Sequence, residues 1–380
     1  MTRPILVLAG ESPLPANSGV RRRTLQLSRE LADVFAVEVA ALGEVPSAGD
    51  EPFALRGIPH RRTRARALAA SVLTPYQAAL VRSSRARRHV LSRRWATMQS
   101  ELPFVAPMLL GIDAAPLVLD AHNVESDVLR TMAEQEHRPV HRARWRWEAA
   151  KTERFERTIV RAATAVCATS EEDAASLEAM GARRIAVVPN GVACAAVAWR
   201  APADSAELAY VGHLGYKPNA DAARELVSEV LPIVHRTRPD ASVLIVGREP
   251  PHDLAAREEG HVRVTGEVPD VLPFLRRARS LVLPLRSGGG TRLKALEALA
   301  AGVPLVSTRF GVAGLDVRDG EHVLLGERPA ELAAQALRVL EDDALAERLS
   351  TAGRRLVETR YDWSVVARPL IELHAELGAA

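Results

Sequence analysis

The segment at residues 286–307, RSGGGTRLKALEALAAGVPLVS, combines residue types that bind anions. Its glycines lead directly into a strongly helix-forming sequence. The first backbone N–H groups of a helix are unpaired and partly positive, and glycines let an anion approach them closely. Thr291 is the expected N-cap, and Lys294 falls in the first turn, where a cation is unfavourable unless an anion binds nearby. We therefore expect this segment to hold a phosphorylated group.

Glu297 extends the predicted site along the same helix. A carboxylate on the C-terminal side of a parallel strand can accept hydrogen bonds from both hydroxyls of a ribose. Together with the glycines and Lys294, it predicts a site for a nucleotide diphosphate. The alternative is a tight turn between a strand and a helix that carries a lysine and a glutamate on its surface.

Strands and helices alternate on both sides of this segment. Residues 4–10 (PILVLAG) predict a buried parallel strand, residues 20–34 a helix and residues 35–42 a second strand. Ser170 should cap another helix, because three acidic residues follow it. Further strands are expected at the starts of 116–126 and 208–219, within 157–181, and at 184–192, 242–247, 261–268, 280–285, 303–308 and 322–325. This order predicts two Rossmann-like, doubly wound α/β domains that face each other across a cleft.

The strand and helix pattern restarts after an Ala- and Pro-rich segment at 193–207, which we expect to be a linker. The predicted domains are residues 1–193 and 194–360, with a C-terminal helix at 361–380 that packs back on the first domain. A chain of 380 residues that is 47% hydrophobic can build two cores. Because only 4% is aromatic, those cores should consist mostly of Leu, Val and Ala.

Composition narrows the class of protein further. The net charge is only +3, and arginine supplies 47 of the 50 basic residues. Cys167 and Cys194 have the spacing of neither a metal site nor a disulfide framework. The first apolar run is too short for a signal peptide, and no stretch approaches the length of a transmembrane helix. We expect a cytoplasmic protein whose only contact with lipid is peripheral, at the inner membrane face.

Several further segments occur in a characteristic order along the chain. They are PLPANSGVRRR, DAHNVES, TSEEDAASL, IAVVPNGV, YVGHLGYKPNADAARELVSEVLP, GEVPDVLPFL, GGGTRLKALEALAAGVPLVSTRFGVAGL and the late YDW. Together they resemble the motifs of family 4 glycosyltransferases, in the branch that carries GGGTR. The resemblance covers nearly the whole chain and implies the GT-B fold and transfer with retention of anomeric configuration.

The resemblance also implies which residues contact a nucleotide-sugar donor. Backbone N–H groups of the glycine segment would bind the diphosphate, Glu297 the ribose, and the backbone after a strand the base. The implied donor contacts are Asn17, Gly19, His213, Glu267, Val268, Gly289, Gly290, Thr291, Arg292, Leu293 and Glu297.

Three residues are implied to act near the reacting atoms. His122 would contact the transferred sugar and mark the acceptor side, with Asp120 orienting its loop. Lys217 and Lys294 would be the cations nearest the leaving phosphates. The chain departs from many relatives at Gly289, where they have a glutamate, and at His213, where they often have an arginine. These departures leave a catalytically impaired nucleotide-sugar-binding protein as the alternative to an enzyme.

The expected co-substrate is a UDP- or GDP-sugar, with no other cofactor. The chain has no Asp-x-Asp motif, so we expect no metal; a helix N-terminus, lysine and arginine would stabilise the phosphates instead. The expected route is front-face displacement, in which the departing phosphate takes the acceptor's proton. A Rossmann dehydrogenase is excluded because LAGESPLPANSG lacks Gly-x-Gly-x-x-Gly.

Residues 52–100 contain no Asp or Glu and many arginines. Such runs are usually solvated surfaces, but in relatives a basic face here often meets anionic lipid headgroups or an anionic acceptor. The expected partners are therefore the donor, an acceptor (a glycan, a lipid-linked molecule or a small molecule) and a membrane surface. Nucleic acid is not expected, because no known motif and no interleaved aromatic residues occur.

Overall fold

The computed structural model describes residues 3–46, 49–61, 63–112, 115–256, 260–288 and 292–379, which divide into two compact units. The N-terminal unit comprises Met1–Asn190 and Trp363–Ala380, and the C-terminal unit comprises Gly191–Asp362. Each unit is an α/β domain built on one sheet, whose described strand pairs are all parallel. The predicted α/β class with two doubly wound sheets is confirmed.

The N-terminal sheet has seven strands in the order β3-β2-β1-β4-β5-β6-β7. Its strands are β1 (Ile5–Ala9), β2 (Val37–Leu42), β3 (Ala54–Ile58), β4 (Met98–Glu101), β5 (Leu117–Asp120), β6 (Ala165–Ala168) and β7 (Ile185–Val187). Its helices are α1 (Gly19–Ala32), α2 (Arg64–Ala70), α3 (Tyr76–Val81), α4 (Ser84–Leu91), α5 (Glu125–Gln135), α6 (Pro139–Ala162) and α7 (Glu171–Met180). Ser170 caps α7 by accepting a hydrogen bond from the Asp173 N–H, as predicted.

The C-terminal sheet has six strands in the order β10-β9-β8-β11-β12-β13. Its strands are β8 (Glu207–Val211), β9 (Ser242–Val246), β10 (Val262–Val264), β11 (Ser280–Leu283), β12 (Leu305–Ser307) and β13 (Leu324–Leu325). Its helices are α8 (Lys217–Glu225), α9 (Leu231–His235), α10 (His252–Ala255), α11 (Leu272–Arg277), α12 (Leu293–Ala301), α13 (Pro329–Glu341) and α14 (Asp343–Arg360), and the π-helical Leu226–Val230 joins α8 to α9.

Aliphatic side chains fill both units. The core of the C-terminal unit is dominated by Leu, Val and Ala, as the low aromatic content predicted. The strands β1, β2 and β11 are buried at every position, which is why they are mostly apolar in the sequence, with Glu38 in β2 and Ser280 in β11 as the polar members.

Two strands of the N-terminal sheet lie inside residues 52–100, where no strand was predicted. Exposed and half-buried residues alternate in β3, with Arg56 among them, and this edge strand therefore has no apolar run. The strand β4, Met-Gln-Ser-Glu, is buried throughout although three of its four residues are polar. A polar strand is buried only when its side chains find partners. Gln99 donates to Glu101 within the strand, whereas His122 and His374 meet these two side chains from distant parts of the sequence.

The C-terminal segment supplies α15 (Trp363–Val366) and α16 (Arg368–His374) to the N-terminal unit. His374 is fully buried and bonds Thr97 and Gln99, at 2.7 and 2.9 Å. The segment at 193–207 lies within the C-terminal unit, where Arg354 donates to the Val197 and Cys194 carbonyls.

None of the helices among the described residues is both long and apolar enough to span a bilayer.

Candidate functional site

The candidate donor site lies where the order of strands in the C-terminal sheet reverses. Strands β8 and β11 are neighbours there, with β9 and β10 on one side and β12 and β13 on the other. In open α/β sheets, ligands bind beyond the C-terminal ends of the strands at such a point. Two residues separate the end of β11 from the segment at 286–307, and so the segment starts at this edge.

Gly289, Gly290 and Thr291, which carry the predicted diphosphate contacts, lie outside the described residues. The neighbouring Gly288 has φ of 117°, a conformation that favours glycine. A Cβ there would lie 3.4 Å from the side chains of Tyr216 and Pro218. The glycine segment therefore begins against the connection between β8 and α8.

Helix α12 begins at Leu293, so Arg292 occupies the N-cap position that was predicted for Thr291. The helix starts one residue later than the Ser/Thr preference for N-caps suggested, and the Arg292 side chain makes no capping bond. Arg292 is only 8% exposed. Its Nε donates to the Phe310 carbonyl at 3.1 Å, and its guanidinium lies over the Phe310 ring. Burial lowers its pKa.

Lys294 lies in the first turn of α12, as predicted. Its Nζ donates to Asn219 Oδ1 at 2.9 Å and to the Tyr210 hydroxyl at 3.3 Å. A Cβ at Gly212 would approach the same Nζ to 2.9 Å, so the ammonium is closely enclosed. Burial, and then the charge of Arg292, lower the pKa of Lys294 to about 7.

These contacts place two enclosed cations at the N-terminus of one helix. That end of a helix already carries partial positive charge, so cations there raise the free energy unless an anion joins them. The groups that hold the Lys294 ammonium, an amide oxygen and a phenol, are neutral at pH 7. The arrangement is suited to binding an anion.

Glu297 lies on α12 and is partly buried, and its charge raises the pKa of Lys294 against the effects of burial. Glu267 and Val268 follow β10 in a loop where Gly266 has φ of 71°. Glu267 is exposed, and Val268 packs against the core. The expected ribose and base contacts thus lie on α12 and on the loop after β10, and they remain predictions.

His213 and Lys217 have carboxylate partners on the surface. His213 Nε2 lies 2.9 Å from Glu249 Oε2. Lys217 begins α8, is 74% exposed and pairs with Asp221 one turn along the helix. Of the two predicted phosphate-binding lysines, Lys294 is enclosed and Lys217 is a surface residue.

In the N-terminal unit, the predicted loop residues Asn17 and Gly19 lie at the start of α1. Gly19 is the first residue of the helix, and Ser18 caps it by accepting a bond from the Arg21 N–H. Asn17 is exposed and accepts a hydrogen bond from Arg21, which also pairs with Glu11.

His122 is buried two residues beyond the C-terminal end of β5. Its Nε2 lies 3.0 Å from Glu101 Oε2 and 3.3 Å from Asp120 Oδ2. Arg23 binds both oxygens of Asp120, at 2.9 and 2.6 Å. Burial alone would lower the pKa of His122, but the bonds and charges of Asp120 and Glu101 outweigh it and raise this pKa to about 9. Arg23 and His122 likewise outweigh burial at Asp120 and hold its pKa well below the usual range.

Glu101, Asp120 and His122 offer ligand atoms that lie within 4.8 Å of one another, a spacing that a metal ion can bridge. The guanidinium of Arg23 already lies against Asp120. A divalent cation placed among these groups would be repelled by it, so the set fits an ion-paired network better than a metal site.

Sequence reasoning missed Glu101, Arg23, Asn219 and Tyr210. Glu101 is the first acidic residue after the acid-free segment, a signal that could have singled it out. Arg23, Asn219 and Tyr210 bond partners that are 75 to 97 residues away in the sequence, and no local sequence pattern predicts such contacts.

A wide, open groove of about 1080 Å³ runs along α14, lined by residues such as Arg318, His322 and Arg348. None of the predicted site residues lines it. The strand order and the enclosed cations favour the end of the C-terminal sheet as the site.

Comparison with known proteins gives two matching families. The family described as Glycosyltransferase Family 4 matches residues 17–196, and the one described as Glycosyl transferases group 1 matches residues 205–342. Glycogen synthase of Mycobacterium tuberculosis is 33% identical over 220 residues, which cover 54% of this chain and 52% of that protein. The chain thus spans about half the length of this curated relative.

Solved structures match almost the whole chain. Sucrose-phosphate synthase from Thermosynechococcus elongatus aligns with a TM-score of 0.72 at 19% identity, over 99% of each chain. Anabaena HepE in complex with UDP aligns with a TM-score of 0.69 at 14% identity, over 98% of this chain and 100% of that one. These likenesses establish the GT-B fold. Because the two families together match most of the sequence, the first mainly in the N-terminal unit and the second in the C-terminal unit, the chain belongs to glycosyltransferase family 4.

Proposed function

We propose that this protein transfers a sugar from a nucleotide diphosphate sugar, a UDP- or GDP-sugar, to an acceptor, with retention and without a metal ion. The observation that carries the proposal is the pair of enclosed cations, Arg292 and Lys294, at the N-terminus of α12. The UDP in the structure of HepE, a protein of the same fold, supports the nucleotide diphosphate.

The C-terminal unit would hold the nucleotide. Lys294, Arg292 and the N–H groups at the start of α12 would stabilise the charge that develops on the leaving phosphate. Glu297 would bind the ribose, and the loop at Glu267 and Val268 would contact the base.

The N-terminal unit would hold the acceptor, with His122 beside the transferred sugar. A double displacement needs a free carboxylate as nucleophile. Asp120 has both oxygens bound by Arg23, and Glu101 accepts bonds from Thr24 and Gln99. Since both carboxylates are engaged, front-face displacement, in which the departing phosphate takes the acceptor's proton, is the favoured route.

A peripheral membrane contact is a second proposal for the same unit. Leu68, Val72 and Leu73 are 62%, 65% and 84% exposed within the arginine-rich segment. Exposed aliphatic residues among arginines suit an anionic lipid surface. Sedimentation with anionic and neutral vesicles tests this: binding to anionic vesicles that is lost in Leu68→Ser/Leu73→Ser supports the contact, and equal sedimentation of the two proteins contradicts it.

The main proposal is tested by thermal shift and by turnover with UDP-, GDP-, ADP- and dTDP-sugars. We expect one nucleotide to raise the melting temperature of the natural protein and of Arg318→Met, which removes an exposed cation from the same unit, but not of Lys294→Met. Binding without transfer or hydrolysis would support the catalytically impaired alternative, and indifference to every nucleotide would overturn the proposal. Turnover in EDTA and the anomeric configuration of the product by NMR test metal independence and retention.

A further inference from the structure

We propose that Glu101 is a positioning residue for His122. It accepts a hydrogen bond from the Nε2–H group of the ring, and Nδ1 is then the nitrogen that faces a bound ligand. The nature of that ligand rests on the proposed function, whereas the role of Glu101 in holding the ring does not.

The sheet brings the two residues together. Glu101 ends β4 and Asp120 ends β5, and the two are paired in the register of these parallel strands. His122 follows Asp120 by two residues, and its ring turns back so that Nε2 lies between the two carboxylates. The carboxylate at the end of β4 therefore reaches the His122 ring from the strand next to the one that His122 follows.

The Glu101 carboxylate is fixed by three hydrogen bonds. Oε1 accepts from Gln99 Nε2 at 2.6 Å, and Oε2 accepts from the Thr24 hydroxyl at 2.7 Å as well as from His122. Glu101 is 2% exposed, so any rotation of its carboxylate would leave buried groups without partners. Ionised carboxylates only accept hydrogen bonds, and Nε2 of His122 must therefore carry its proton.

The chain of hydrogen bonds continues to the C-terminal helix. Because Gln99 donates its amide to Glu101, its carbonyl faces His374, whose Nε2 lies 2.9 Å away. His374 must then donate from Nε2 and accept at Nδ1 from the Thr97 hydroxyl, at 2.7 Å. Burial lowers the pKa of His374 to about 4, which is consistent with a neutral ring that has one donor and one acceptor. Helix α16 thus supports the position of Glu101.

The charges around His122 balance when the ring is protonated. Asp120 and Glu101 each bring a negative charge, and Arg23 brings one positive charge, so an imidazolium makes the buried cluster neutral. The bonds and charges of the two carboxylates raise the pKa of His122 to about 9. His122 would therefore act as a donor at Nδ1 and not as a general base at neutral pH.

Two more acidic residues lie near this cluster on neighbouring helices. Glu125 begins α5; burial raises its pKa, and the charge of His122 opposes that rise. Asp173 on α7 accepts a bond from Thr169, whose hydroxyl also donates to the His122 carbonyl at 3.3 Å. Both belong to elements packed around His122, and both remain in place in the variants below.

The test compares Glu101→Gln with the double variant Gln99→Glu/Glu101→Gln. In the double variant, every hydrogen bond between His122, residue 101, residue 99 and His374 can still form, and the net charge is unchanged. The carboxylate, however, now lies at residue 99 and no longer contacts His122. The control is Glu38→Gln, which removes another buried carboxylate of the same sheet, one that bonds His89 instead. Nitrogen-15 NMR of the histidine rings reads the protonation of His122 in the free protein, with its signal assigned by its loss in His122→Gln.

We expect the titration midpoint of His122 to fall by at least about one pH unit, a tenfold loss of proton affinity, in both Glu101 variants and to be unchanged in Glu38→Gln. Urea unfolding should leave the double variant close to the natural protein, which separates positioning from loss of fold. With an active donor and acceptor, kcat should fall at least about tenfold in Glu101→Gln while KM for the nucleotide sugar stays within about twofold.

A His122 midpoint in the double variant within about 0.3 pH units of the natural value would overturn the proposal, whatever the activity. Absence of turnover with every nucleotide sugar would instead contradict the proposed function, and the NMR titration would still decide the role of Glu101.

Discussion

Arg23 and Asp120 form a bidentate ion pair inside the N-terminal unit, with side chains that are 1% and 0% exposed. The pair joins α1 to the end of β5, and the remaining guanidinium nitrogen of Arg23 donates to the Pro189 carbonyl and to Asn190 Oδ1 at 3.1 Å. One side chain therefore connects three separate parts of the unit next to His122.

Replacing Arg23 should destabilise the N-terminal unit strongly. Arg23→Met removes the bidentate partner of Asp120 and leaves two buried carboxylates, Asp120 and Glu101, beside the His122 imidazolium. We expect the free energy of unfolding to fall by about 3–5 kcal/mol. Arg88→Met removes an exposed arginine of the same unit and should change it by less than about 0.5 kcal/mol. Urea unfolding of the variants measures the difference; equal midpoints would show that the buried pair contributes little.

His374 should make the protein sensitive to mild acid. Burial lowers the pKa of His374 to about 4 in the folded protein, whereas it is about 6.5 in the unfolded chain. Between about pH 6.5 and pH 4, His374 is therefore protonated in the unfolded state and neutral in the folded state. Stability is therefore full above pH 6.5 and should fall by on the order of 3 kcal/mol as pH drops to 4.

The variant His374→Gln cannot titrate but can still donate to Gln99 and accept from Thr97. We expect its urea midpoint to depend less on pH between 6.5 and 4 than that of the natural protein. His141→Gln, at an exposed histidine, should keep the natural slope. If the urea midpoints of His374→Gln and of the natural protein changed equally with pH, the acid sensitivity could not be assigned to His374.

Much of the fold was predictable because its signals are local. The buried strands appear as apolar runs, Ser170 precedes acidic residues at the start of α7, and Lys294 follows a glycine segment. The strand β4 was not predictable: Gln99 and Glu101 are buried only because Thr24, His122 and His374 meet them from distant parts of the chain.

The same distinction separates the parts of the candidate site. Motifs indicated that Lys294 would bind an anion, but not that Asn219 and Tyr210 enclose its ammonium, because those contacts depend on β8 lying beside β11. Lys217 was predicted from its motif for the same role as Lys294, yet it lies on the surface. Residue type and spacing identify candidates, whereas tertiary contacts decide their environment.

Gly247 should be intolerant of any side chain. It follows β9, and a Cβ there would lie 1.7 Å from the Gly212 carbonyl oxygen, which is backbone and cannot move aside. Gly247→Ala should displace the connection after β8, whose His213 carbonyl accepts a hydrogen bond from Asn219, and so disturb the pocket of Lys294.

For Gly247→Ala we expect a loss of stability of about 1–3 kcal/mol, as for other overpacked positions, together with weaker nucleotide binding. Gly10→Ala is the control, because a Cβ at Gly10 meets its neighbours at ordinary contact distances of 3.5 and 3.7 Å. Calorimetric unfolding and nucleotide titration check both variants, and a fully stable Gly247→Ala would show that the two connections are not in contact.

Nucleotide binding should weaken as pH rises above 7. In the free protein the pKa of Lys294 is lowered to about 7 by burial and by Arg292. A bound diphosphate favours the ammonium and raises that pKa, so binding takes up a proton wherever the free lysine is neutral. The Kd should be constant well below pH 7 and then rise by up to about tenfold per pH unit until the pKa of the complex is reached.

Calorimetric titration in two buffers with different ionisation enthalpies measures this uptake directly. At pH 8 we expect the natural protein and Arg318→Met to take up close to one proton for each nucleotide bound. Lys294→Met should bind weakly, with a Kd that no longer follows this titration. A Kd for the natural protein that is constant from pH 6 to 9 would mean that the Lys294 ammonium does not contact the phosphates, and the anion would then have to bind elsewhere on α12.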